Sequence, residues 1–222
     1  QVKELRSDDA KRDILSLDQY SRFYKYMLYR YIIDKSISPK EKQRRIIFYQ
    51  FIMILYSSGL RPNELIQLRW RDITINTNDT KEIQKTHRRI FISKTISKTG
   101  RSRALVVPIA DRVKKIRDAY DEMGVDIQDD DFFCLNPTYK DKRPYTRNTL
   151  YHRLQKVLEE SGLKEELEQQ GKKVSLYSSR HAFCTWRLQY GDVPIHLLAR
   201  IMGTSIKYIE QTYSHVKIEQ MT

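Results

Sequence analysis

Residues 45–56 constrain this chain more than any other stretch. Ile46, Ile47, Phe51, Ile52 and Leu55 recur at helical spacing in a segment so rich in apolar side chains that it reads as a core helix buried on most of its faces. Ser57-Ser58-Gly59 ends it, because glycine takes the left-handed turn that closes a helix. The fold is therefore organised around one central helix. A length of 222 residues allows a sizeable core in one large domain or two small ones, and one unit is expected.

Other helices are predicted on the same grounds. Ser16-Leu17-Asp18 offers a cap to a segment carrying Tyr20, Phe23, Tyr24, Met27, Leu28 and Tyr31 at helical spacing. Residues 36–42 read as a polar loop containing Pro39. Pro62 suits the first position of a short helix over residues 62–68, which leaves Arg61 at its mouth. Residues 70–75, 89–94 and 103–109 have the β-branched and aromatic content of strands. Between the last two, Lys98-Thr99-Gly100-Arg101 reads as a hairpin turn. The pattern is helical again from Ala110 to about Met123, residues 131–135 read as a short strand or buried loop, and helices are expected over residues 146–161, 178–190, 194–202 and 206–213. The fold class is α+β, mainly α: a helical domain with a small antiparallel three-stranded sheet.

The 41 Lys and Arg outnumber the 28 Asp and Glu, for a formal net charge of +13. Such a surplus attracts polyanions over distance and releases counterions from DNA, which makes double-stranded DNA the leading partner; a basic surface kept for solubility is the plainer alternative. No run reaches the roughly 18 to 20 apolar residues of a membrane span, and the N-terminus has no signal-peptide core. Cys134 and Cys184 stand far apart without a C-x-x-C partner, which favours neither a zinc pair nor a disulfide framework. A soluble, reduced, intracellular protein without membrane contact is expected. Residues 1–14, mostly polar and opening on Gln1, read as a linker from a missing upstream domain, with residues 15–222 as the main domain.

Four separated pieces carry the chemistry: Gly59-Leu60-Arg61-Pro62-Asn63-Glu64-Leu65, Ser97-Lys98-Thr99-Gly100, Leu176-Tyr177-Ser178-Ser179-Arg180-His181, and Met202-Gly203-Thr204 followed by Tyr213-Ser214-His215. Each alone is weak, since surface charges are usually solvated, Lys-Thr-Gly is common in turns and Tyr213 is one of 15 tyrosines. In this order and in a basic chain they resemble the catalytic domain of the tyrosine recombinases of the phage-integrase type, whose set runs Arg, Lys, His-x-x-Arg, His or Trp, then Tyr. The resemblance covers residues 15–216.

The resemblance implies that Arg61 and Arg180 grip the non-bridging oxygens of a scissile phosphate. Arginine suits the task, because its planar fork makes two parallel hydrogen bonds and keeps its charge. Two such groups can offset the charge on a pentacoordinate phosphorane, so no metal, cofactor or ATP is implied. Tyr213 is then the nucleophile that forms a 3′-phosphotyrosyl bond. A phenol ionises near pH ~10, so attack needs proton removal or a positive field. Lys98 would reach the minor groove and protonate the departing 5′ oxygen, with Lys94 as its rival. Glu64, one helical turn from Arg61, can orient it or cap the helix, or simply form a structural salt bridge. By the same resemblance four protomers assemble on two DNA duplexes, in the cytoplasm of a bacterial or phage-host cell and associated with its nucleoid.

Two positions depart from the family pattern. Tyr177 stands where the first His belongs, and Thr204 where the later His or Trp belongs. Tyr177 can hydrogen-bond a phosphate oxygen but is a poor proton acceptor, and Thr204 can donate one hydrogen bond. The acceptor of the Tyr213 proton is thus left open. His181 follows Arg180 directly; neighbouring side chains on a helix diverge by about 100°, so it reads as a supporting residue, and His215 is a second candidate. Two other functions fit less well: a type IB topoisomerase-like enzyme, and a DNA-binding module whose catalysis has decayed.

Overall fold

The computed structural model describes residues 13–191 and 193–218, with residues 214–218 described by their helical backbone alone. Most of the expected linker over residues 1–14, and the side chain of His215, lie outside this description.

Local sequence explains where the first helices start. Helix α1 (Leu17–Tyr26) opens on a reciprocal cap in which Ser16 Oγ accepts from the Gln19 amide at 3.1 Å and the Gln19 side chain accepts from the Ser16 amide at 2.9 Å. It continues into a π-helical turn, Met27–Tyr31. Helix α2 (Pro39–Ser58) starts earlier than expected, inside the predicted polar loop. Ser38 Oγ accepts from the Glu41 amide at 3.2 Å, and Pro39 sits at the start, where a missing N–H leaves no bond unmade. Ile47, Phe48, Phe51, Ile52, Ile54 and Leu55 are all buried, so α2 is the axis of the main core, packed by α5 (Ala110–Glu122) and α8 (Ser178–Tyr190). Gly59 closes it with φ of 64°.

After α3 (Pro62–Gln67) comes a sheet of order β1 (Ile73–Thr74), β2 (Arg88–Ile92), β3 (Arg103–Val107), antiparallel throughout. Pairing Ile90 with Leu105 turns Ile90, Ile92, Leu105 and Val107 inward and leaves Phe91 and Val106 exposed. The first half of the strand expected over residues 70–75 is a 3-10 turn, Trp70–Asp72, and only Ile73–Thr74 join the sheet. Asp72 accepts from the Arg69 amide at 2.8 Å, and the Trp70 ring packs on Phe133 at 4.9 Å, so this backbone is committed to a turn rather than to the ladder.

Two short helices, α4 (Lys81–Thr86) and α7 (Leu163–Gln169), were not legible. The first buries nothing and hangs on its Thr80 cap; the second buries only Leu163 and Leu167, too short a stripe to register as a period. Between them lies α6 (Arg147–Glu160), and residues 131–135 form a buried loop held by bridges from Phe132 to Arg69 and from Leu135 to Pro144.

The last described helices are α9 (Ile195–Met202) and α10 (Ile206–Ile218). With α8 they enclose a second, smaller core of Phe183, Cys184, Leu198, Ala199, Met202, Ile209 and Tyr213. The backbone at Tyr213 is not helical (φ −121°, ψ 18°), so α10 is broken at that residue. No helix among the described residues is long and apolar enough to cross a membrane.

Candidate active site

Arg61 caps the start of α3, where its backbone is extended and the following proline fixes the turn into the helix. Its Nη1 donates to Glu64 Oε1 at 2.9 Å and its Nη2 to the Gly203 carbonyl at 3.1 Å. Glu64 also accepts from the Arg61 amide at 3.0 Å, so one carboxylate fixes both the backbone and the side chain of the arginine. The expected Arg61–Glu64 pair is present, but it is one half of a larger knot. Arg103, at the start of β3, donates to both Glu64 oxygens at 3.1 and 2.7 Å and through Nε to the Ile201 carbonyl at 3.0 Å. Burial alone would raise the Glu64 carboxyl; the hydrogen bonds and charges of Arg103 and Arg61 outweigh it and hold the group below the usual carboxylate range. Nothing in the local sequence marks Arg103 as a partner of Glu64, because the contact is made by a strand edge far away in the chain.

Arg180 lies in the first turn of α8 and is 2 % exposed. Its Nη1 donates to the carbonyl of Gly59 at 2.6 Å, and the Phe183 ring fills the space where a side chain at position 59 would stand. Both expected clamp arginines are therefore moored on carbonyls of glycines that end helices, Gly59 after α2 and Gly203 after α9. Helix C-termini present carbonyls without intrahelical partners and a partial negative charge, which suits a cation. Burial and the charge of Arg61 push Arg180 down to about 10, leaving it a cation at neutral pH. Arg61 Nε and Arg180 Nη2 are buried and make no hydrogen bond to any described residue. Buried donors in this state favour an acceptor arriving from outside, and an anion most of all.

Tyr213 sits in the smaller core, 4 % exposed. Its hydroxyl is 2.7 Å from Nδ1 of His181, and the rings of Tyr177, His181 and Tyr213 follow one another at 5.5 and 5.6 Å between centroids. Burial, with Cys184 and Tyr208 adding to it, raises the phenol well above its usual value, while the charge of Arg180 pulls the other way. The hydroxyl thus lies within the field of Arg180 but faces His181. His181 and Arg180 are adjacent on α8, and their divergence puts one guanidinium on the Gly59 side and the imidazole on the Tyr213 side.

Two clefts flank this assembly. One, of about 450 Å³, is lined by Arg61, Asn63, Glu64, Lys98, Arg147 and Tyr177. The other, of about 610 Å³, is lined by Arg101, Arg103, Arg200, Thr204 and Tyr208. Lys98 and Tyr177 therefore share a cleft with Arg61, while Thr204 opens on the other side of the Glu64 knot. Lys94 lines neither. Arg147, at the start of α6, was not singled out in the sequence; a lone arginine there carries no pattern. The arrangement can hold a phosphodiester against two fixed guanidiniums, with a lysine and a phenol at its margins.

A sequence model of the phage integrase family matches residues 14–220. The chain is 23 % identical over 187 residues to the tyrosine recombinase XerA of Thermococcus onnurineus (strain NA1), a match over 83 % of this chain and 55 % of that protein. It is similar to the XerH site-specific recombinase in a pre-cleavage complex with its difH substrate, with a TM-score of 0.66, 20 % identity, and coverage of 96 % of this chain and 53 % of that one. It is also similar to a lambda integrase dimer bound to a COC′ core site, with a TM-score of 0.56, 16 % identity, and coverage of 91 % and 48 %. The chain spans about half the length of these relatives.

Proposed function

The chain belongs to the phage integrase family, and on that premise we propose that it is the catalytic part of a site-specific DNA recombinase. Tyr213 attacks a backbone phosphate, its oxygen forms a bond to phosphorus, the bond to the 5′ oxygen breaks, and the resulting 3′-phosphotyrosyl link conserves the energy for a second transfer. A 5′-hydroxyl from another duplex then displaces Tyr213 and restores the phosphodiester. Arg61 and Arg180 hold the non-bridging oxygens, and Lys98 gives a proton to the departing 5′ oxygen.

The observation that carries this reading is the pair of buried guanidiniums, each anchored on a helix-ending glycine carbonyl and each retaining a buried donor that no described residue engages. Pre-aligned donors of this kind stabilise developing phosphorane charge without reorganising during the reaction. Lys98 is preferred to Lys94 because it lines the Arg61 cleft. The basic surplus supplies binding to double-stranded DNA. Assembly of four protomers on two duplexes, work in the cytoplasm at the nucleoid, and residues 1–14 as a link to a further DNA-clamping domain complete the proposal.

The test is incubation with a nicked suicide DNA substrate carrying the protein's recombination site, read as a covalent protein–DNA adduct on a denaturing gel. An adduct is expected from the unaltered protein and none from Tyr213→Phe. An adduct that persists in Tyr213→Phe would show that another residue is the nucleophile. Strand exchange between two duplexes, rather than relaxation of one supercoiled circle, separates a recombinase from a topoisomerase-like enzyme.

A further inference from the structure

Resting on the reading of Tyr213 as nucleophile, we infer that His181 is the group that takes the Tyr213 proton during strand cleavage and returns it during rejoining.

The geometry is direct. The Tyr213 hydroxyl and His181 Nδ1 are 2.7 Å apart, both residues are buried, and proton transfer requires a separation of this order before any question of acidity arises. Burial holds the phenol protonated, and the inferred transfer uses the tautomer in which the imidazole carries its own proton on Nε2 and turns the Nδ1 lone pair to the hydroxyl. Cys184 also borders the hydroxyl, but burial pushes its thiol up to about 12, and a protonated sulfur has no capacity for a further proton.

The two departures from the family pattern leave the same role unfilled elsewhere. Tyr177 carries a phenol where an imidazole would be, and its ring packs on His181 rather than replacing it. Thr204 opens on the cleft beyond Glu64 and has no basic nitrogen. His181 lies one helical turn after Tyr177 on α8, so Tyr177 and His181 share a stripe of that helix with Cys184, and this stripe faces Tyr213.

The step balances as follows. As the Tyr213 oxygen bonds to phosphorus, its proton passes to His181 Nδ1 and the imidazole becomes a cation. The electron pair of the breaking bond leaves on the 5′ oxygen, which takes its proton from Lys98. In the return step the incoming 5′-hydroxyl gives its proton to the Lys98 amine left neutral by the first step, and the departing Tyr213 oxygen recovers the one held by His181. The groups acting on the Tyr213–His181 pair are Tyr177 at the start of α8, Arg180 and Cys184 from α8 and Tyr208 from α10; Arg61 and Glu64 at the start of α3 and Arg103 from β3 act through Arg180.

The test uses single-turnover cleavage of the suicide substrate. An adduct from the unaltered protein establishes the parent reading first; its absence sinks that reading and not this one specifically. With the adduct in hand, His181→Asn keeps a hydrogen-bonding atom near the Nδ1 position but cannot take a proton, and cleavage is expected to fall about 10²- to 10⁴-fold with DNA binding and thermal midpoint retained. A fluorinated tyrosine at position 213, whose phenol is more acidic, should restore most of that loss. A positioning role would leave the fluorinated His181→Asn protein as slow as before, and cleavage within threefold of the parent in His181→Asn would also overturn the inference. Should His181→Asn not fold, the fluorinated but otherwise unaltered protein decides. A pH–rate profile that stays in place supports transfer to the imidazole, and one that moves with the acidity of the phenol shows ionisation without it.

Discussion

The carbonyl oxygen of Gly203 accepts a hydrogen bond from Nη2 of Arg61 at 3.1 Å, across 142 positions of sequence. That bond ties the loop after α9 to the mouth of α3, and the same loop leads through Thr204 into the helix that carries Tyr213. The aim of the first arginine is therefore set by the end of a helix belonging to the part of the chain that bears Tyr213.

Gly203→Ala should loosen this tie. The residue has φ of 61°, where a side chain costs roughly 1–2 kcal/mol, and the added methyl would stand 2.7 Å from Nη1 of Arg103, which Glu64 holds in place. Urea denaturation should show a loss of about 2 kcal/mol. Adduct formation should fall by more than DNA binding does; an equal fall in both would place the effect in general instability.

Gly59→Ala should be worse. A methyl at position 59 would meet the Phe183 ring at 2.4 Å, on a backbone with φ of 64°, and that ring is packed into the smaller core. Left-handed strain and overpacking together predict a loss of roughly 2–4 kcal/mol. Arg180, three residues before Phe183 on α8 and bonded to the Gly59 carbonyl, should lose that mooring, read as a collapse of cleavage with residual DNA binding.

Arg103→Ala breaks a buried pair and should cost roughly 3–5 kcal/mol, as expected when one partner of a desolvated ion pair is removed. The double variant Glu64→Gln, Arg103→Met removes both charges and should recover much of that stability without recovering cleavage, because Arg61 then lacks the carboxylate that orients it. A double-mutant cycle by denaturation measures the coupling; additive losses would show that Glu64 does not join the two arginines energetically.

Glu64 also predicts acid sensitivity. Its carboxyl titrates lower in the folded protein than in the unfolded chain, so the unfolded state binds more protons as the medium acidifies. The stabilisation is complete above the unfolded-state value and is lost as pH falls through the folded one. Unfolding free energy measured across the acid range should drop less steeply in Glu64→Gln than in the unaltered protein, and parallel curves would contradict the assignment.

Arg180→Lys preserves a positive charge but offers no planar fork. Its ammonium can keep the Gly59 carbonyl or reach the phosphate, not both at the original angles. Single-turnover cleavage should fall about 10²- to 10³-fold, the loss typical of removing one aligned donor from a transition state, while DNA affinity changes little.

Those arginines were visible early because they are attached to local signals. The Ser16 cap, Pro62 after Arg61 and Gly59 after a dense apolar run are all short-range patterns, and each sits where the structure uses it. The start of α2 at Pro39 is not legible locally because a proline in a polar stretch serves equally as loop or first helical turn, and what decides is the Ser38 cap. The strand expected at Trp70 yielded to a turn because ring packing on Phe133 and the Asp72 cap outweigh β propensity.

The order of motifs along the chain, by itself, determined the family pattern, the fold class and the identity of Arg61, Arg180 and Tyr213 as the residues to watch. Tertiary structure alone decided that Arg103 shares Glu64, that Lys98 and Thr204 open on different clefts, and that the Tyr213 hydroxyl rests on His181. The physical reason is range. Caps, turns and periodicity are fixed by neighbours within a few residues, whereas a hydrogen bond between Arg103 and Glu64, or between Tyr213 and His181, exists only once packed helices and strands bring the two side chains within 3 Å.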